Sequence, residues 1–508
     1  MVERIVIIGG GSAGWMTAAT LISQFPKKDI TLVEDPNIPL VGVGESTIGG
    51  IKNWLHLLEI KDTDFMKDTD ATYKLSIRFE DFYKKNDGGF HYPFGSTYEK
   101  GNLAHKNDWY FKKFFYPETP LKDYADCIFP QMALVNANKI TNKNDLLPQF
   151  DLNIDAAFHF DAVKFGIWLR DKYCLPRGVK HLKFRVDHVS MNNVENKGID
   201  YIRLVTGKSL YADLFIDCTG FKALLIDKHL KEPFDSYEDL LPNNSAWAFK
   251  LRYNDKEKQL VPYTNCKAIE NGWIWNIPLW HRMGIGYVYS DNHISDQAAG
   301  DQLSKNINNY MIDAKLLKMR VGLHRRIWVK NVCAIGLSAG FIEPLESNGL
   351  FTVHEFLLKL VRILKRGKVS QWDKDTFNVS CAKFFRGFAE FVALHYALSH
   401  RTDTPYWKDI YNKEWSITGD FLSTIDAKMN DYYFRSDGGF HAIASGMNYF
   451  PTDLPALIYN NMSSYSRLKK RFDPYIKKLT KQREEWKELI KNEPTVIEYL
   501  KKIHESEI

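Results

Sequence analysis

The chain has 508 residues, 44% of them hydrophobic and 26% charged, and carries a net charge of +6. These values describe an ordinary globular protein, long enough for several domain-sized units or one large α/β domain with additions. No basic cluster is interleaved with base-stacking aromatics, which excludes a nucleic-acid partner, and no apolar run reaches about 18 residues, so neither a membrane-spanning helix nor a membrane partner is expected. Residues 2–8 form an apolar, β-branched run that predicts a buried parallel strand. A glycine-rich break follows, then a helix over 15–25 and a second strand over 30–33, together a βαβ unit. Helices are predicted over 53–58 and 69–82. Residues 86–160, rich in Asn, Asp, Pro, Gly and aromatics, predict an irregular insertion.

A helix is predicted over 160–173, short strands over 180–189 and 199–206, and a buried strand over 214–218. Alternating patterns over 246–290 predict antiparallel strands, and 332–335 is another short buried strand. Beyond residue 350 the pattern is mainly helical, with a solvated amphipathic helix over the basic stretch 467–483. The expected division is therefore an FAD-type core over 1–350 with two insertions, and a helical substrate region over 351–508. The six cysteines are scattered, with no CxxC pair, so neither a metal site nor a disulfide framework is expected. The strand pattern begins at once after Met1, leaving no space for a signal peptide, and the expected compartment is the cytoplasm.

Gly9-Gly10-Gly11-Ser12-Ala13-Gly14 fits G-x-G-x-x-G between a strand and a helix. Gly9 permits the tight turn, Gly11 the approach of a pyrophosphate, and Gly14 close helix–strand packing. The helix N-terminus supplies free N–H groups for the phosphates. Glu34 ends the second strand, where a carboxylate can accept from ribose hydroxyls. FAD and NAD both satisfy this pattern. The late buried segments LFIDCTG (214–220) and NVCAIGLSAG (331–340) favour FAD, because NAD domains normally complete their sheet earlier in the chain.

Five further segments resemble the flavin-dependent halogenases of the tryptophan-halogenase type, over roughly residues 1–450. They are Gly14-Trp15; the strap Gly42-Val43-Gly44-Glu45-Ser46-Thr47; Trp273-Ile274-Trp275-Asn276-Ile277-Pro278; Phe341, Pro344, Ser347 and Gly349 within FIEPLESNGL; and Lys74 within ATYKLSIRF, expected on a helix. HFDAVKFGIWL and ALHYALSHRTDTPYW are similar to family segments too. The resemblance implies an α/β FAD-binding fold of the flavin monooxygenase type. It implies that reduced FAD, O2 and a halide generate hypohalous acid, which halogenates an electron-rich aromatic. It extends the FAD site to Val43, Glu45, Ser46, Val186, Leu337 and Leu350, and places the halide on the amides of Asn348 and Gly349. Lys74 would escort the hypohalous acid. Glu346, expected near it, would stabilise the arenium intermediate and remove its proton. Trp273, Trp275 and Pro278 would wall the flavin from the substrate, although core packing explains strand tryptophans equally well.

Two departures stand out. The family strap continues to a proline, whereas Ile48 is followed by Gly49-Gly50. Residues 431–447 keep Tyr432 and Tyr433 but have Gly438-Gly439 in place of a Phe-Trp pair, which argues against free tryptophan as substrate. Two rivals remain: a single-component FAD aromatic monooxygenase and a non-catalytic carrier on the same fold. Self-association is left open. With one GxGxxG motif assigned to FAD, reduced flavin must come from a separate NAD(P)H-dependent reductase. The purified protein given NADH alone should therefore sustain almost no NADH oxidation, followed by absorbance; steady oxidation would favour the monooxygenase.

Overall fold

The computed structural model describes residues 2–38, 45–95, 106–194, 197–308, 313–415, 439–449 and 465–505. The chain divides into two compact units. Unit 1 comprises Met1–Ala71, Phe160–Ala246 and Leu317–Ala389; unit 2 comprises Thr72–His159, Trp247–Leu316 and Glu390–Ile508. Residue 350 is not one of these limits, because each unit is assembled from three separated stretches.

Unit 1 is built on a six-stranded sheet in the order Trp328–Val329, Val332–Ala334, Leu214–Asp217, β1 (Arg4–Ile8), β2 (Asp29–Val33) and Lys180–Leu182. β1 pairs in parallel with both β2 and Leu214–Asp217, in registers Ile5↔Ile30 and Ile5↔Leu214. Four consecutive residues of β1 are buried, which is why it reads as an unbroken apolar run. Helix α1 (Ser12–Gln24) completes the βαβ unit. The strands predicted over 180–189 and 199–206 divide between the six-stranded sheet, which takes Lys180–Leu182, and a separate antiparallel sheet of Val186–Met191, Ile199–Leu204 and Ser209–Leu210.

Asp217 ties the far end of this sheet together. One carboxylate oxygen accepts from the Thr219 amide at 3.0 Å and the Thr219 hydroxyl at 2.7 Å. The other accepts from the amides of Leu225 and Ile226 at 2.7 and 3.0 Å. Its backbone carbonyl receives the Ser338 hydroxyl and, at 3.0 Å, the Ile335 amide.

Unit 2 contains five successive strands of a seven-stranded sheet: Met283–Tyr289, Gly272–Pro278, Tyr263–Ile269, Ser76–Glu80 and Gly89–Pro93. All these neighbours are antiparallel except Tyr263–Ile269 with Ser76–Glu80. The helix expected over 69–82 is instead two strands, Thr72–Lys74 and Ser76–Glu80. The alternation of Tyr73, Leu75, Ile77 and Phe79 with Thr72, Lys74, Ser76 and Arg78 has a period of two, and that is the pattern the backbone follows. The insertion expected to be irregular holds regular elements as well, including Gly89–Pro93, Lys106–Phe115, Asp123–Ile128 and Ala157–Phe160. Aromatic packing supports them: Trp109 lies edge-on to Tyr110 and Tyr124, with centroids 5.3 and 5.1 Å away, and donates to Asp123 at 3.0 Å.

The predicted C-terminal helicity is present in Gly349–Leu364, Gln371–Ala397, Pro405–Asn412, Phe440–Gly446, Tyr465–Leu489 and Val496–His504. All six cysteines are free and buried. No helix among the described residues is long and apolar enough to cross a membrane. Asp217→Ala leaves buried amides and a hydroxyl without their acceptor, so the substitution should lower stability by about 3–5 kcal/mol, measured by denaturant unfolding.

Candidate active site

The glycine motif of unit 1 closes where no side chain fits. Gly9 has φ +115°, and a β-carbon on it would lie 2.2 Å from the Cys218 carbonyl oxygen. One on Gly14 would lie 1.9 Å from the Gly9 oxygen, and one on Gly10 would lie 1.7 Å from Glu34 Oε2. Gly11 caps α1 without any side-chain hydrogen bond to the first turn, and the Ser12 hydroxyl turns away to the Ala162 carbonyl at 3.2 Å. The free N–H groups of that turn therefore remain available to an anion. Glu34 Oε1 contacts His181 Nε2 at 2.9 Å, and burial lowers the His181 pKa against the pull of Glu34. Ala13 faces the second late segment, since a β-carbon on Gly336 would come within 2.8 Å of its own. Leu337 next to it is 39% exposed. Val186 is half-buried at the start of its strand. This donor set, a backbone cradle with a carboxylate at the end of β2, fits a dinucleotide such as FAD.

A second feature of unit 1 is the turn that leads into Gly349–Leu364. Pro344–Glu346 form one 3-10 turn, and Ser347 follows in the left-handed region at φ 56°. The Ser347 hydroxyl donates to that of Ser46 at 3.1 Å, which links this turn to the strap residue. Glu346 is fully buried, and Leu350 is nearly so. Asn348 is the helix N-cap and makes no side-chain cap bond. Its side-chain amide oxygen Oδ1 is buried without a hydrogen-bond donor among the described residues. A β-carbon on Gly349, the first helical residue, would meet nothing within 4 Å among the described residues. Glu45 is half-buried; burial, and after it repulsion from Asp161, pushes its carboxyl up to about 7. Val43, Gly42 and Gly44 lie outside the described residues, as do Tyr432, Tyr433 and Gly438.

In unit 2, Lys74 ends a strand rather than lying on a helix, and its side chain is fully buried. Its ammonium sits 4.9 Å from the centre of the Phe94 ring. The Trp273 and Trp275 rings lie 6.0 Å apart on Gly272–Pro278. Trp275 covers Gly286, where a β-carbon would come within 2.1 Å of the indole. Both indole N–H groups are buried without an acceptor among the described residues, unlike those of Trp54 and Trp407, which donate to Thr20 and the Ile269 carbonyl. The Pro278 carbonyl accepts the Thr72 hydroxyl at 2.7 Å. Thus unit 1 gathers the glycine motif, Glu34, Ser46, Glu346 and Gly349, and unit 2 gathers Lys74 with the tryptophan strand.

Residues 4–452 match the family model described as tryptophan halogenase. The chain belongs to the tryptophan halogenase family. It is 34% identical over 431 residues to tryptophan 6-halogenase SttH of Streptomyces toxytricini, covering 80% of each chain. It is 32% identical over 441 residues to tryptophan 7-halogenase RebH of Lentzea aerocolonigenes, covering 84% of this chain and 81% of that one. The solved structure titled VirX1 apo structure superposes with a TM-score of 0.89 at 37% identity over 98% of both chains. This halogenase therefore has the FAD-binding α/β fold with a helical C-terminal region. It uses FADH2 from a separate flavin reductase, O2 and a halide, and acts on an aromatic substrate. The monooxygenase and carrier alternatives are not favoured.

Sequence reasoning passed over His181 beside Glu34, and Thr72 and His159 beside Lys74. His159 opens the HFDAVKF segment that carried the resemblance, so a signal was present; its partners were not visible. The raised carboxyl of Glu45 has a consequence for stability. Between its ordinary value of 4.5 and about 7 the native state holds more protons than the unfolded chain. Stability is thus lost as pH rises through that window. In FAD-free protein, Glu45→Gln should gain roughly 1–3 kcal/mol relative to the parent across the same window, seen as diverging denaturant midpoints.

Proposed function

We propose that Lys74 and Glu346 carry the halogenation chemistry of this enzyme. Complete burial of the Lys74 ammonium against the Phe94 ring supports the reading. A desolvated ammonium is costly to hold and is suited to gripping a small polar oxidant. Bound reduced FAD supplies, with O2, the oxidising power that turns halide into hypohalous acid. The residues that would hold it are Gly9, Gly11, Ser12, Ala13, Gly14 and Glu34, with Val43, Glu45, Ser46, Val186, Leu337 and Leu350 as further contacts. The amides of Asn348 and Gly349, at the start of a 16-residue helix where a Gly349 β-carbon would meet none of the described residues within 4 Å, would hold the halide.

Lys74 donates a hydrogen bond to hypohalous acid, or as the neutral amine takes the halogen from oxygen and releases water, and presents the halogen to the ring. The Glu346 carboxylate, buried on the preceding turn, stabilises the cationic ring intermediate and takes its proton. The tryptophan strand with Pro278 shields the reaction from direct oxygenation. The cytoplasm, where reductase and NAD(P)H are at hand, is the compartment this chemistry needs.

Lys74→Ala should abolish haloaromatic formation while FAD affinity stays near the parent value; undiminished product would remove Lys74 from the mechanism. Glu346→Gln keeps the shape and should slow turnover by about 10²–10⁴-fold, and a loss of under about threefold would make Glu346 structural.

For the substrate, we favour free indoles, phenols and related heteroaromatics over L-tryptophan. A zwitterion needs paired partners for both charged ends, since burying either alone is costly, and the sequence over 431–447 lacks the Phe-Trp pair. Steady-state kinetics with one halide should give a higher kcat/KM for indole. A preference for tryptophan of about tenfold, near 1.4 kcal/mol, would overturn the substrate assignment.

A further inference from the structure

Lys74 lies on a strand whose neighbour, Ala157–Phe160, runs antiparallel in the register Thr72↔His159 and Lys74↔Ala157. Directly opposed residues share a face, so Thr72, Lys74, His159 and Ala157 stand on one side of this pair. The small Ala157 opposite Lys74 leaves space for the lysine stem. His159 opposite Thr72 fills the other half of the face and is fully buried.

The hydrogen bonds around His159 have a direction. The Thr72 hydroxyl donates to the Pro278 carbonyl at 2.7 Å, which commits its only proton. At the 3.1 Å contact with Thr72 Oγ1 the imidazole Nδ1 is then the donor, and His159 also hydrogen-bonds the Pro278 carbonyl directly. Burial, and after it the charge of Lys74, hold the His159 pKa well below its ordinary value, so the ring carries one proton. Nε2 is consequently bare and accepts from the Thr264 hydroxyl at 2.9 Å. The chain runs from Thr264 through His159 and Thr72 to Pro278, the last residue of the tryptophan strand.

We propose that His159, with its proton on Nδ1, is a positioning residue for Lys74: it clamps Thr72 to Pro278 and Thr264 and so fixes the strand end from which the ammonium projects. Lysine has a flexible four-carbon stem, and its reach is set by where its backbone is held. Displacements of about 1 Å at a reacting group cost on the order of 10²-fold. The inference rests on the proposed role of Lys74.

The test measures haloindole formed against hypohalous acid captured by added taurine, with bromide, reductase and FAD held constant. In His159→Leu and in Thr72→Val the ratio should fall by about 10–100-fold while FAD affinity is unchanged. The double variant should be no worse than the poorer single one, because both cut the same chain. His159→Asn keeps an N–H donor toward Thr72 and should stay within about threefold of the parent. If His159→Leu fails to fold, the nearly isosteric Thr72→Val decides. A parent-like ratio in folded Thr72→Val overturns the proposal, as does an Asn variant as impaired as the Leu variant. Lys74→Ala in the same assay separates the two readings. Normal halogenation there removes the Lys74 role itself, whereas its loss alongside full coupling in the other variants removes only the part given to His159.

Discussion

At the turn leaving β1, the backbone carbonyl of Cys218 occupies the space a Gly9 side chain would need. The rest of unit 1 depends on that close approach. Gly14 lies as tightly against the Gly9 carbonyl, and Gly336 against Ala13. Three segments, near residues 9–14, 217–220 and 336–338, therefore meet at the start of α1 through backbone and the Ala13 methyl group. Asp217 makes this arrangement rigid by holding the Thr219 turn with its carboxylate and Ser338 with its carbonyl. A helix start without a side-chain cap leaves its first N–H groups open, the arrangement that suits an anion.

Unit 2 meets a different constraint, the burial of a cation. Lys74 lies between Thr72 on its own strand and Ser76 at the start of the next, each in contact with a buried histidine: His159 at 3.1 Å and His91 at 3.0 Å. Burial comes first in both histidines. The Lys74 charge adds to it at His159, and Arg78 and Lys122 add to it at His91, which is pushed down to about 3. Both rings are uncharged at neutral pH, so they offer hydrogen bonds without adding positive charge to the surroundings of Lys74. The Phe94 face adds a favourable contact for the ammonium.

The strap differs from the family pattern at Gly49-Gly50, and the packing supplies a reason for the second glycine. A β-carbon on Gly50 would come within 2.9 Å of the Phe351 ring and 3.5 Å of His354. Phe351 and His354 stand in the first turns of the helix that begins at Gly349. The strap side of unit 1 thus contacts the helix through Gly50 and the turn that carries Glu346 through the bond between Ser46 and Ser347.

Local sequence determined much of this. The glycine spacing, Glu34 at the end of β2, and the apolar runs at 214–217 and 332–334 express a buried parallel sheet, because a strand covered on both faces must be apolar throughout. The segments around Lys74, Trp273 and Glu346 carried the family resemblance. The period over 72–80 was present as well, yet short and largely buried on both sides, so it could be taken for a helix. What sequence could not supply was the meeting of residues far apart in the chain. His181 reaches Glu34 across 147 positions, His159 reaches Thr72 across 87, and Ser347 reaches Ser46 across 301. Helix and strand periodicities report which face of an element is buried. They do not report which buried polar group will stand opposite it, nor on which nitrogen an imidazole will keep its proton. Tertiary packing alone decided those, because a hydrogen bond in the interior is set by where two distant backbones come to rest.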